Sequence, residues 1–164
     1  MTNPNEQVRL ERTIAASPDR VYRAWIDPAL LARWMAPGPF DLTRAEVDER
    51  VGGHYRIWHT EHGADHSSGG FEAEIIELVP AQRVVFRWGF VGPERMDGPV
   101  YDSRLTVMFA PAPGDATLLT LVHERLGALA TAMPEAAANV GAGWADVLTK
   151  LNAALTTEVG SSRS

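Results

Sequence analysis

The densest group of chemically able side chains is the run His59-Thr60-Glu61-His62-Gly63-Ala64-Asp65-His66, with three histidines and two carboxylates in eight residues. Imidazole and carboxylate are ligands for zinc and its neighbours, so a metal reading comes first. The spacing speaks against it. A helical His-Glu-x-x-His pair sets two imidazoles on one face, whereas the glycines and serines from Gly63 to Gly70 mark a hairpin loop. No metal or other cofactor is expected. Cysteine is absent from the 164 residues, which excludes thiolate ligands, disulfides and thiol nucleophiles. No serine stands in a Gly-x-Ser-x-Gly elbow, so a hydrolase triad has no support.

Glu72, Glu74 and Glu77 resemble a carboxylate set for acid–base work only until strand alternation is considered. Alternation puts Glu72 and Glu74 opposite Phe71, Ala73 and Ile75, on an outer face in water. Gly52-Gly53 lacks the further glycine and lysine of a phosphate loop and reads as a bulge or bend in a sheet. His123 remains. It alternates with Leu119 and Leu121, so it is the polar group expected inside, either as a hydrogen-bonded core residue or as a contact that orients a ligand. Arg125, two residues on, is expected on the same face near the mouth of the interior, where it meets solvent or an acidic headgroup.

These residues need elements to position them. Val8, Leu10 and Ile14 alternate as a first strand. Ser17-Pro18-Asp19-Arg20 then reads as a helix start, with a capping hydroxyl, a proline at the first helical position and an acid at the positive end of the dipole. Asp27-Pro28 ends that helix and caps a second short one, which carries Leu30, Leu31 and Trp34 until Pro37-Gly38-Pro39 stops it. Strand-like runs follow at Leu42 to Val47, His54 to His59, Phe71 to Val79, Arg83 to Phe90, Tyr101 to Phe109 and Leu118 to Leu126, separated by turn residues such as Gly92 to Pro99 and Pro111 to Ala116. Beyond Pro134-Glu135, the spacing of Val140, Trp144, Val147, Leu148, Leu151 and Leu155 predicts a long helix with one apolar face. Gly141 and Gly143 are weak helix formers there and suggest close approach to another element. Trp25, Trp34 and Trp144 fall in helices and are expected to pack the core, or, for Trp34 with Met35, to form a mobile lip over an entrance.

The order of strand, two short helices, six strands and long helix resembles the START-like helix-grip superfamily (SRPBCC), which holds lipid-transfer domains, birch-pollen-allergen proteins and polyketide cyclases. Particular segments are similar to one branch, the homologues of the activator of the heat-shock protein 90 ATPase. They are Ala16 to Trp25 with Asp27-Pro28 and Trp34, Asp48 to Arg56, Pro80 to Phe86, Thr117 to His123, and Gly143-Trp144 with Leu148 and Leu151. The resemblance implies an α+β fold in which a curved antiparallel sheet of about seven strands grips the C-terminal helix. It also implies a cavity between them.

On that reading the chain is one domain over 1–164, with an ordered core from about 8 to 157 and tails at 1–7 and 158–164. The cavity is expected to be lined by Tyr55, Ile57, Phe71, Ile75, Val84, Phe86, Trp88, Leu105, Val107, Leu121, His123, Trp144 and Leu148, an apolar surface with few polar groups, as small-molecule pockets are. The implied function is non-covalent binding of a small hydrophobic or amphipathic molecule. A co-chaperone-type module contacting a chaperone or another protein, and a cyclase- or lyase-type enzyme using His123, stand as alternatives. With 21 acidic against 15 basic residues, a net charge of −6 and no basic cluster, nucleic acid is not an expected partner. Nor is membrane insertion or a secretory leader expected, and a cytoplasmic location fits. If the loop histidines bind no metal, zinc will leave the melting temperature of the untagged protein unchanged, as will a chelator; stoichiometric zinc in metal analysis is the contrary result.

Overall fold

The protein is described here from a computed structural model covering residues 7–36, 40–61, 69–91, 101–132 and 140–161. Strand β1 (Gln7–Ile14) leads into helices α1 (Pro18–Ile26) and α2 (Pro28–Leu31). Strands β2 (Phe40–Val47), β3 (His54–Glu61), β4 (Gly69–Val79), β5 (Arg83–Val91), β6 (Tyr101–Ala112) and β7 (Ala116–Glu124) follow, then helices α3 (Gly127–Ala132) and α4 (Val140–Ser161). The strands form one curved antiparallel sheet in the order β1-β7-β6-β5-β4-β3-β2. Consecutive strands from β2 to β7 are neighbours, and β1 returns to pair with β7, Leu10 opposite Leu121. Among the described residues no helix is long and apolar enough to cross a membrane.

The helix signals work as capping chemistry predicts, with one exception. Pro18 opens α1 and Asp19 sits in its first turn, but the Ser17 side chain makes no cap bond. Asp27 closes α1 through its amide to Arg23 O (2.8 Å) and caps α2 by accepting from Ala29 N (2.9 Å). The long helix buries the predicted stripe of Val140, Trp144, Val147, Leu148, Leu151 and Leu155 against the sheet. It is tied at its flanks, where Asn152 Oδ1 accepts from Ala15 N (2.9 Å) and Leu155 O accepts from Arg20 Nη2 (3.1 Å). Gly141 faces Val8, but a methyl there would sit 3.6 Å from Val8 Cγ1, an ordinary contact, so close approach does not require this glycine. The helix also runs on to Ser161, past the point where a tail is expected from 158.

Other boundaries move. Strand β6 continues through Pro111 to Ala112, and the turn shrinks around Gly114 (φ 81°) and Asp115 (φ 55°). Strand β7 ends at Glu124, because Arg125 takes φ 60° and turns the chain into α3. That helix, absent from the periodicity, buries Leu129 in the core, as Leu126 just before it is buried. Pro37 to Pro39, His62 to Ser68, Gly92 to Val100, Met133 to Asn139 and the outermost ends, where several predicted turns fall, lie outside the described residues.

On the outer face, Glu72 pairs with Arg56, and Arg87 lies 3.8 Å from Glu74 and 2.6 Å from Asp102, which places those carboxylates in a surface ion-pair lattice. Such pairs contribute little stability. The Gly52-Gly53 signal marks the β2–β3 turn, which docks on a bulge in β4 between Ile75 and Glu77 through Gly52 N to Ile75 O (2.7 Å) and Ile75 N to Gly53 O (2.9 Å). A Cβ on Gly53 would stand 2.1 Å from Asp48 O, a backbone atom that cannot step aside alone. Gly53→Ala is therefore expected to destabilise by about 1–3 kcal/mol in chemical denaturation. Gly114→Ala, with open space around it, is expected to cost only the penalty of positive φ, about 1 kcal/mol. Equal losses would remove the backbone clash as the reason for Gly53.

Candidate functional site

The interior lies between the inner face of the sheet and α4. Alternation delivers Tyr55 and Ile57 from β3, Phe71, Ala73 and Ile75 from β4, and Val84, Phe86 and Trp88 from β5. Leu105 and Val107 come from β6, and Leu119, Leu121 and His123 from β7. All are buried except Phe71, which is partly so. From the other side come Trp144 and Leu148 on α4 and Trp25 on α1. The predicted lining is thus brought together. It is strongly aromatic: Phe71 and Trp88 rings are 4.6 Å apart, Tyr55 and Phe86 4.8 Å, Trp88 and Trp144 5.6 Å, and Trp25 stacks on Trp144 at 5.9 Å. These separations are those of rings in contact.

The polar groups inside are few, and their bonds can be followed donor by donor. Trp144 Nε1–H can only donate, and it does so to His123 Nδ1 (2.9 Å). Ser103 Oγ donates its one proton to Trp88 O (2.7 Å), so it accepts from His123 Nε2, also at 2.7 Å. The imidazole is therefore neutral, with the proton on Nε2, and both nitrogens are engaged. Burial holds its pKa down, from the ordinary 6.5 to about 3. Phe90 stacks on the ring at 5.5 Å and closes it further. Proton transfer at neutral pH needs a free lone pair and a pKa near the working pH, and His123 has neither. Arg125 contributes nothing here. It is exposed and beyond the end of β7, not on the inward face.

Ser103 was not among the expected site residues, although a signal existed: it stands two before Leu105 and pairs with Trp88. Of the other buried hydroxyls, Tyr55 donates to Trp25 O (2.6 Å) and Thr117 to Ala16 O (2.7 Å), and Trp34 Nε1 donates to Ala24 O (3.1 Å). Trp34 and Met35 are 2% and 1% exposed, so they are part of the core rather than a lip in solvent. The segment after α2 is also held from outside, with Met35 O bonded to His59 Nε2 (2.8 Å) and Ala36 O accepting from Lys150 Nζ (2.7 Å). His59 thus serves as a strut against Phe71 and Met35. His62 and His66 lie outside the described residues, among which no three metal-ligating side chains gather.

Two interior donors have no hydrogen-bond partner among the described residues, Trp25 Nε1 and Trp88 Nε1, both on fully buried rings. An open groove of about 480 Å³ lies outside, between α1, the β2–β3 turn, the β4–β5 turn and the C-terminal part of α4. Its charges answer one another: Tyr22 donates to Glu49 (2.7 Å) and Arg23 lies 3.8 Å from the same carboxylate. The Tyr22 hydroxyl is held well above its ordinary pKa by burial first and by Glu49 second.

The model of the family described as activator of Hsp90 ATPase homolog 1-like protein matches residues 15–156. Protein CV1439 from Chromobacterium violaceum is 32% identical, with 92% of this chain and 96% of that one covered and a TM-score of 0.73. The AHSA1 protein from Silicibacter pomeroyi is 24% identical over 93% and 99% of the two chains at a TM-score of 0.74. DynU16, from the dynemicin biosynthetic locus, is 23% identical at a TM-score of 0.67, with 93% of this chain but 48% of that one covered. The last two likenesses speak for the fold alone. No curated protein matches the chain.

Because His123 is held neutral, acid must protonate it before or upon unfolding. The unfolded chain takes up that proton near pH 6.5 and the folded chain near pH 3, so stability is complete above pH 6.5 and falls as the pH drops through that window. The expected slope from this one group is about 1.4 kcal/mol per pH unit. His123→Gln, which offers an acceptor to Trp144 and a donor to Ser103 without titrating, should flatten the profile between pH 6.5 and pH 4.5 relative to wild type; parallel profiles would mean that His123 is not buried neutral.

Proposed function

Since the chain belongs to the family of activator of Hsp90 ATPase homolog 1-like proteins, a helix-grip family whose fold often takes small hydrophobic ligands, we propose that it binds a small apolar or amphipathic molecule non-covalently between the sheet and α4. The contacts on this reading are the rings of Tyr55, Phe71, Phe86, Trp88 and Trp144, backed by Ile57, Ile75, Val84, Leu105, Val107, Leu121 and Leu148. The observation that carries the reading is the pair of unpartnered indole N–H groups within this enclosed aromatic interior. A finished core satisfies its buried donors, and each one left unpaired costs about 1–3 kcal/mol. An interior that leaves two such donors unspent is suited to receive a molecule that answers them, and rings in edge contact can part to admit it.

The engaged state of His123 argues against the cyclase or lyase alternative, since no other buried acid or base stands beside it among the described residues. A protein-interaction role would have to use exposed apolar residues such as Val51 (61% exposed) and Ile76 (40%), which flank the β2–β3 turn. Exposed apolar side chains in such small number are what every surface carries.

A ligand that binds the folded state alone stabilises it by about 2.7 kcal/mol at a hundredfold excess over Kd. For a domain of this size that corresponds to a rise in the melting midpoint of about 5–10 °C. Screening isoprenoids, flavonoids, fatty acids and polyketide-like aromatics is expected to give shifts of that size. Shifts near zero across all classes, with an interior that xenon or benzene does not enter, would transfer support to the interaction reading.

A further inference from the structure

We infer that the interior selects a neutral, flat molecule bearing hydrogen-bond acceptors, a conjugated ketone or quinone in chemical class, over a hydrocarbon or a carboxylate of the same size. This rests on the ligand-binding reading above and adds to it the chemistry of the ligand.

The selection follows from what the interior has left to offer. The hydroxyls of Ser103 and Tyr55 are spent on the carbonyls of Trp88 and Trp25. The indoles of Trp34 and Trp144 are spent on Ala24 O and His123. His123 gives its lone pair to Trp144 and its proton to Ser103. Among the described residues, the buried side-chain N–H groups left without an acceptor are Trp25 Nε1 and Trp88 Nε1. Both belong to rings that pack against Trp144, at 5.9 Å and 5.6 Å between centroids. Edge-on neighbours of these rings, Trp34 at 4.8 Å and Phe86 at 5.5 Å, offer at most an N–H···π contact, a weak substitute for an oxygen. A flat ligand that parts these rings and carries carbonyl oxygens at its edges meets both needs, stacking and acceptance.

Charge decides against an anion. Among the described residues the buried polar side chains are His59, Ser103, Thr117, Thr120 and His123, with no lysine or arginine. A carboxylate entering this interior would lose its hydration without gaining a counter-charge. A bare hydrocarbon would enter more readily but would leave both N–H groups unanswered. A site built around a buried donor rejects the analogue that lacks its partner more strongly than it rejects a small change in size.

Three bicyclic probes of matched size test this on the full chain: naphthalene, 1,4-naphthoquinone and 1-naphthoate. The absence of cysteine removes thiol addition to the quinone as a complication. Expected is binding of the quinone at least about tenfold tighter than that of naphthalene, with naphthoate weakest. Trp88→Phe should shrink the quinone's advantage to within about threefold while naphthalene still binds. In wild-type protein labelled at the indole nitrogens, the quinone should move two N–H resonances downfield and naphthalene should not, a readout that stands even if the variant folds poorly. Equal affinity for quinone and hydrocarbon, tightest binding of naphthoate, or unmoved indole resonances in a quinone complex would overturn the inference and leave the binding reading standing. Failure of all three probes to bind would overturn the inference, and would bring down the binding reading too if the wider screen also gave no shift.

Discussion

The hydrogen bond from the Trp144 indole to His123 joins the one long helix to the sheet that must hold it, and much of the interior is arranged around keeping that bond directional. An indole can only donate, so His123 must present a lone pair on Nδ1. Its proton then sits on Nε2 and needs an acceptor, which Ser103 supplies by passing its own proton to Trp88 O. One chain of donors thus runs from α4 through β7 and β6 to β5. Apolar packing alone would let a helix on a curved sheet slide or rotate at small cost. A buried bond with a single allowed direction removes that freedom, because any other rotation leaves Trp144 and His123 unpaired.

The same logic explains why the polar residues of the interior carry so little chemistry. His123, Ser103, Tyr55 and His59 are the side chains from which a mechanism would ordinarily be built, and each is bonded to a backbone carbonyl or to another member of the chain. Burial then keeps the imidazole neutral at physiological pH. A general base needs a lone pair that faces the substrate and a pKa that lets it hold and release a proton. Here the lone pair faces an indole, and the polar groups serve the fold.

Much of this was legible in the sequence, for reasons that differ by element. Strand alternation assigned Tyr55, Ile57, Phe86, Trp88, Leu105, Val107 and His123 to the inner face because a period of two leaves no choice once one face is apolar. The stripe on α4 was equally plain. Where the reading failed, the deciding term was local backbone geometry or a partner distant in sequence. Arg125 was placed on the inward face because alternation assumes that the strand continues; its φ of 60° ends the strand at Glu124 and starts α3, and no propensity rule marks an arginine for that conformation. Trp34 and Met35 read as a lip because they precede a breaker, yet carbonyl contacts from His59 and Lys150, 24 and 114 residues away, hold their segment down. Ser103 was visible by alternation but unremarkable as a residue type. Its role depends on the register that sets it opposite Trp88.

The unspent groups were the least legible, because indoles are counted as core. A tryptophan in a strand pattern contributes its area to the apolar sum, and its one N–H goes unnoticed until every possible acceptor has been assigned. Of the interior tryptophans, Trp34 and Trp144 have acceptors and Trp25 and Trp88 have none among the described residues. An extra carbonyl turned inward would have silenced either donor, as Ala24 O does for Trp34. The backbone carbonyls of Trp88 and Trp25 accept from Ser103 and Tyr55. Hydroxyl donors spent on the backbone leave the indoles as the interior's available donors, and for that reason the recognition chemistry is sought in the tryptophans and not in the histidine.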